Sequence, residues 1–229
     1  EKWKTRTMIP YAKQSIDQAN IDAVIHVLKS DFLTQGPCVP AFEKKVADYC
    51  GAKFSVALNS ATSALHVACL ALGLKPGDWL WTSPITFVAS ANSALYCGAF
   101  VDFVDIDPNT YNISIGCLEE KLERAAKCGK LPKILTPVHF SGQSCEMARI
   151  KELSQIYGFK IIEDASHAIG GMYRGAQIGS CKYSDITVFS FHPVKIITAG
   201  EGGMALTNDP KLAETMLRRR SHGITSQTE

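Results

Sequence analysis

The chain lacks several features that would place it quickly. No Cys-x-x-Cys pair occurs, the eight cysteines and six histidines follow no metal-ligand spacing, and neither a Gly-x-Gly-x-x-Gly fingerprint nor a phosphate-loop Gly-Lys-Ser/Thr is present. A structural zinc site and the two commonest nucleotide-binding glycine motifs are thereby set aside, and no metal is expected. Cysteines such as Cys69 and Cys97 lie within apolar stretches, which fits reduced, buried thiols in a cytoplasmic protein better than a secreted disulfide framework. Net charge is nearly absent: 24 basic against 22 acidic residues give +2, so neither nucleic acid nor an anionic membrane is an expected partner. The one basic run, Leu217-Arg218-Arg219-Arg220, suits an exposed helix end. No stretch approaches the roughly 20 apolar residues of a membrane span, and Glu1–Arg6 has no signal-peptide hydrophobic region.

What is present is a chain of 229 residues, 46% of them hydrophobic, enough for one large α/β core. Apolar runs at 54–58, 79–82, 100–104, 134–138, 159–162, 186–189 and 203–206 read as strands. Helical spacing fills 61–73, 87–96, 115–127, 147–157 and 211–220, with a further amphipathic segment at 15–28. This alternation predicts an α/β fold with a mostly parallel sheet and helices on both faces. No helix separates the last two strands, so an antiparallel element is expected there. The expected organisation is an N-terminal segment and helix over 1–30 and one large domain over 31–229, ending in a polar tail.

In such sheets ligands gather outside the carboxyl ends of the strands. Asn59–Ser63, Pro84–Phe87, Asp164–His167 and Ser190 all fall at those ends. Lys195 follows one apolar run and Asp164 closes another, a pairing that suits Schiff-base chemistry on pyridoxal phosphate. The lysine would hold the cofactor aldehyde while the carboxylate faces the pyridine nitrogen. Each residue also has a plain reading: Lys195 as a solvated charge, Asp164 as a helix N-cap, Ser60–Ser63 as an ordinary cap, Phe87 as a core residue. The small residues after Asn59 would equally let backbone N–H groups approach a phosphate.

Eight blocks in order carry a wider resemblance. They are Phe32–Gly36, Asn59–Leu65, Thr86–Ala89, Val104–Pro108, Pro137–Gly142, Glu163–Ala168, Ser190–Lys195 and Gly200–Gly203. From about Ile9 onward the chain resembles the DegT/DnrJ/EryC1/StrS aminotransferases, sugar-modifying members of the fold-type I pyridoxal-phosphate enzymes. Asn-Ser-Ala-Thr-Ser-Ala-Leu and Ser-Phe-His-x-x-Lys look most like the branch that makes the 4-amino sugar precursor of pseudaminic acid. The resemblance implies that Lys195 carries the cofactor, Asp164 pairs with the ring nitrogen, His167 lies near the ring hydroxyl and Phe87 stacks on the ring. It assigns the phosphate to Ala61, Thr62, Ser63 and Ser190. Tyr11 and Asp31, Phe32, Leu33 and Thr34 match a stretch lining the nucleotide-sugar site in relatives, or else simply join the first helix to the body.

The implied activity is conversion of a 4-keto nucleotide sugar to its 4-amino derivative, with glutamate as donor, in surface or flagellar glycan biosynthesis by a homodimer. Relatives continue into a smaller C-terminal domain, which is expected to lie beyond Glu229. Two other readings remain: a pyridoxal- or pyridoxamine-phosphate-dependent sugar dehydratase, against which Lys195 argues because such relatives carry histidine there, and a cofactor-binding fragment without turnover.

Overall fold

The computed structural model describes residues 9–224. Residues 1–8, which include the stretch inspected for a signal peptide, and the end of the polar tail at 225–229 lie outside the described residues. The main sheet is built from β1 (Phe54–Leu58), β2 (Trp79–Thr82), β3 (Phe100–Phe103), β4 (Ile134–Thr136), β5 (Lys160–Asp164), β8 (Ile186–Ser190) and β9 (Gly203–Thr207). Its order is β1-β9-β8-β5-β4-β2-β3. Neighbouring strands run parallel except that β9 is antiparallel to both β8 and β1. The expected antiparallel element is therefore β9 alone. A hairpin of β6 (Met172–Tyr173) and β7 (Ala176–Gln177) forms a separate small sheet.

The helices are α1 (Gln18–Leu28), α2 (Cys38–Cys50), α3 (Ala61–Ala71), α4 (Ala89–Leu95), α5 (Ile115–Cys128), α6 (Met147–Tyr157) and α7 (Pro210–Arg220). All were expected except α2. Its prolines at 37 and 40 fall at the cap and in the first turn, where no intrahelical N–H is lost. Asp17, Ser60, Ser114 and Asp209 cap α1, α3, α5 and α7 through side-chain oxygens.

Side chains alternate across the strands and sort the core into layers. Leu80, Ile134, Ile162, Val188 and Ala205 pack with Leu65 and Ala68 of α3, Ala94 of α4 and Met216 of α7. Their neighbours Trp81, Leu135 and Ile161 turn the other way, against Leu118 and Leu122 of α5 and Ile150 and Leu153 of α6. Phe189, Met204 and Leu206 meet Val46 and Cys50 of α2 on that second side. The same alternation divides the adjacent acids of β5: Asp164, in phase with Ile162, faces the α3–α4 layer, and Glu163, in phase with Ile161, faces away from it.

Gly203 opens β9 directly against the β1–α3 turn. A Cβ there would stand 2.3 Å from the Ser60 carbonyl and 2.5 Å from the Ala61 nitrogen, so only glycine lets strand and turn approach this closely. Gly203→Ala is expected to destabilise the protein by about 1–3 kcal/mol through overpacking. Gly116→Ala, where a new Cβ meets nothing nearer than Ser114 Oγ at 4.0 Å, is expected to be neutral or slightly stabilising. Urea denaturation of the two variants checks the opposite signs.

Candidate active site

The strand ends surround a cavity of about 620 Å³, lined by residues including Tyr11, Ala61, Thr62, Phe87, His139, Asp164, His167, Ser190 and Lys195. Asp164, the last residue of β5, is buried. Its Oδ1 accepts from Ser166 N–H at 3.2 Å and Ser166 Oγ at 2.6 Å, and its Oδ2 accepts from Ser90 Oγ at 2.6 Å. It is thus not the helix N-cap of its plain reading, and with three donors on two oxygens it retains acceptor capacity.

Lys195 lies beyond β8, in a turn where its N–H donates to His192 O. Its Nζ stands 2.5 Å from His167 Nε2. Burial pulls the Lys195 ammonium below the ordinary lysine value, against the opposing pull of Asp164. Burial and the neighbouring Lys195 hold His167 below its usual value, so the imidazole is the acceptor in this contact. Gly142, with φ of +89°, passes beneath this pair. A Cβ at that position would lie 2.6 Å from His167 O.

At the other end of the cavity α3 presents its first turn, whose N–H groups have no intrahelical acceptors. Ser60 caps Ser63 N–H at 3.1 Å, which leaves the N–H groups of Ala61 and Thr62 for a ligand. Ser63 itself is drawn into the cap, its Oγ 3.2 Å from Ser60 Oγ, and does not line the cavity. Ser190 sits at the end of β8 on the same side of the sheet as Asp164. Phe87, far from being a core residue, is 73% exposed on the cavity wall. Tyr11 stands at the mouth, whereas Asp31, Phe32, Leu33 and Thr34 are exposed and outside the lining.

Several residues at the site went unforeseen. Ser90 lies four residues after Thr86, in the first turn of α4. His139 is buried in the wall, its Nδ1 accepting from Cys145 N–H at 3.2 Å and its Nε2 standing 2.7 Å from Glu163 Oε2. Burial pulls the His139 imidazole down while its contacts with Cys145 and Glu163 raise it to about 10. An Nδ1 that accepts from Cys145 N–H cannot also carry a proton, however, so in this geometry the ring donates through Nε2 to Glu163. Ser184 and Thr187 donate to the other oxygen of Glu163.

The donor set fits pyridoxal phosphate. The cavity is of a size that takes a substituted pyridine. Asp164 offers an anionic acceptor for a protonated ring nitrogen, Phe87 an exposed aromatic face, α3 and Ser190 a cradle for phosphate, and Lys195 an amine at the cavity wall.

Residues 14–229 match the DegT/DnrJ/EryC1/StrS aminotransferase family. The chain is 46% identical over 218 residues to the UDP-4-amino-4,6-dideoxy-N-acetyl-beta-L-altrosamine transaminase of Campylobacter jejuni, covering 95% of this chain and 56% of that protein. Among solved structures it is similar to Helicobacter pylori PseC, an aminotransferase involved in the biosynthesis of pseudoaminic acid, with a TM-score of 0.88 and 33% identity over 96% of this chain and 58% of that one. Spr1654 of Streptococcus pneumoniae, in its PLP form, gives 0.84 at 28% identity over 96% and 60%. The fold and the strand-end cavity define an α/β domain of the kind found in pyridoxal-phosphate-dependent aminotransferases. The chain belongs to the DegT/DnrJ/EryC1/StrS aminotransferase family. It spans about half the length of the curated relatives it matches. Among the described residues no helix is long and apolar enough to cross a membrane.

The Glu163 cluster gives a pH prediction. Burial opposes ionisation of Glu163, but hydrogen bonds from His139, Ser184 and Thr187 outweigh it and hold the carboxyl below the ordinary glutamate value of 4.5. Because the folded value is depressed, the stabilisation is fully present above the unfolded value and is lost as pH falls through the folded one. Glu163→Gln should therefore lower stability at neutral pH and flatten its decline below about pH 4.5. Thermal unfolding of both proteins between neutral and acid pH checks the sign and the window.

Proposed function

We propose that the protein is a pyridoxal-phosphate-dependent aminotransferase that converts a 4-keto nucleotide sugar to a 4-amino nucleotide sugar. Glutamate is the amino donor and surface or flagellar glycan biosynthesis the setting. The observation that carries the reading is the convergence of Lys195, His167, Asp164, Phe87 and the α3 N-terminus on one cavity. The likeness to the Campylobacter transaminase supports the choice of a 4-amino sugar.

The bound cofactor supplies a carbonyl carbon that takes up and returns the amino group, and a ring that withdraws electrons from that carbon. Lys195 is its covalent attachment point. A lysine drawn below its ordinary value exposes more free amine at neutral pH, which is the form that attacks an aldehyde. With the cofactor bound, the Lys195 amine would take up the proton lost by the donor's α-carbon as general base and deliver it as general acid to the cofactor carbon that receives the amino group. Asp164 holds the ring nitrogen protonated, and His167, neutral at Nε2, orients Lys195 and the ring hydroxyl. Ala61 and Thr62 N–H groups, with the Ser190 hydroxyl and Ser63 as supporting residue, hold the phosphate.

Tyr11 at the mouth, together with Asp31, Phe32, Leu33 and Thr34, is assigned to the sugar nucleotide. The functional unit is a cytoplasmic homodimer. Exposed Phe87, Val88, Ile196 and Ile197 beside the cavity support a second copy covering this face.

Borohydride reduction of the cofactor-loaded protein followed by peptide mapping should place the label on Lys195, and a label on Lys160 or Lys182 would overturn the assignment. Asp164→Asn is expected to keep the cofactor and lose at least ~10²-fold in turnover, the cost of one strong preorganised electrostatic contact. Transfer of labelled nitrogen from glutamate to a UDP-linked 4-keto sugar tests the substrate class directly.

A further inference from the structure

Outside the residues already assigned, one buried group touches the machinery. Ser90, in the first turn of α4, is fully buried, and its Oγ lies 2.6 Å from Asp164 Oδ2 and 2.7 Å from Thr86 Oγ1. An ionised carboxylate only accepts, so the single Ser90 proton goes to Asp164. The Thr86 hydroxyl must then donate to Ser90, since Ser90 has no second proton to give. The alternative acceptor for either hydroxyl, Phe87 O, is farther away at 3.2 and 3.3 Å. The result is a one-directional relay, Thr86 to Ser90 to Asp164, that spans the residue Phe87.

Resting on the aminotransferase reading, we propose that Ser90 is a positioning residue. Its hydroxyl fixes the Asp164 carboxylate in the plane and direction needed to meet the ring nitrogen, and through Thr86 it ties that carboxylate to the segment carrying the stacking Phe87. Ser166 alone cannot do this. It binds only Oδ1, and from the same strand end, so without Ser90 the carboxylate pivots about that one anchored oxygen. Ser90 approaches Oδ2 from a different helix and closes the second side. Hydrogen bonds to a charged acceptor are the stronger kind, and a buried carboxylate left short of one has reason to reorient.

The test uses Ser90→Ala, Thr86→Val, Asp164→Asn and the Ser90→Ala/Asp164→Asn double variant. In apo crystals of Ser90→Ala, Asp164 should leave its wild-type rotamer or split between two. Titration of apo protein with pyridoxal phosphate should show affinity weakened about tenfold in Ser90→Ala, the order expected for one lost hydrogen bond to a charged group, and less in Thr86→Val. In the Asp164→Asn background, Ser90→Ala should cost less than about twofold, because residues that act through one another are not additive. A full tenfold loss in that background would show that Ser90 acts elsewhere, and an unmoved Asp164 with unchanged affinity would overturn the proposal. If wild-type protein took up no cofactor, the aminotransferase reading would fall while the Asp164 rotamer still decided the role of Ser90.

Discussion

The site depends on a buried carboxylate whose two oxygens must both find donors. Asp164 ends a strand whose preceding residues Ile161 and Ile162 are fully buried, so the backbone has no freedom to bring the acid to water. An isolated charge there would cost far more than the fold has to spare. Three donors hold it instead, two from Ser166 and one from Ser90. The same constraint recurs one residue earlier. Glu163, on the opposite side of the sheet, is held by His139, Ser184 and Thr187. Two adjacent acids are tolerable because strand alternation puts a sheet between them and each has its own donors. One set of donors is wholly structural, whereas the other leaves acceptor capacity facing a cavity.

The strand-end geometry follows from connectivity. Six parallel strands deliver their carboxyl ends to one edge, and that edge collects the turn after β1, the turn after β2, His139, Asp164 and Ser190. The antiparallel β9 is what seats the β1–α3 turn. It enters the sheet between β1 and β8 from the site edge, and its first residue, Gly203, carries nothing that would push Ser60 and Ala61 away. The α3 N-terminus therefore lies beside the ends of β5 and β8 rather than above them. The first turn of α3 and the Asp164 carboxylate line one cavity.

Much of this was legible in the sequence because the strands are apolar runs and the site residues stand at their ends. The seven main strands were located to within a residue or two, and Asp164, His167, Ser190, Lys195 and Phe87 were picked out by their positions and by the family resemblance. The remainder depends on contacts that no local pattern records. Ser90 meets Asp164 across 74 residues of chain, and His139 meets Glu163 across 24. Helix α2 was not among the expected helices, although Val46, Ala47 and Cys50 are buried along one stripe. The β6–β7 hairpin has two residues per strand, too few for an alternation to show. Which of Ala61, Thr62 and Ser63 line the cavity turns on a single cap bond, since Ser60 could have capped a different N–H and left Ser63 free.

The two principal side chains are held very differently, and the difference matches what the proposed reaction asks of each. Asp164 is fixed at both oxygens within the sheet. Lys195 rides on the segment between β8 and β9, where Ile196 and Ile197 are exposed, and its Nζ has one contact at hydrogen-bond distance, His167. A carboxylate that stabilises charge on a ring nitrogen gains from being rigid, because preorganisation removes the cost of reorienting it during the reaction. A lysine that first carries the cofactor and then moves a proton needs two positions, so its anchor must be one that a small motion can exchange. The arrangement pairs a carboxylate anchored at both oxygens with an amine anchored at a single imidazole nitrogen.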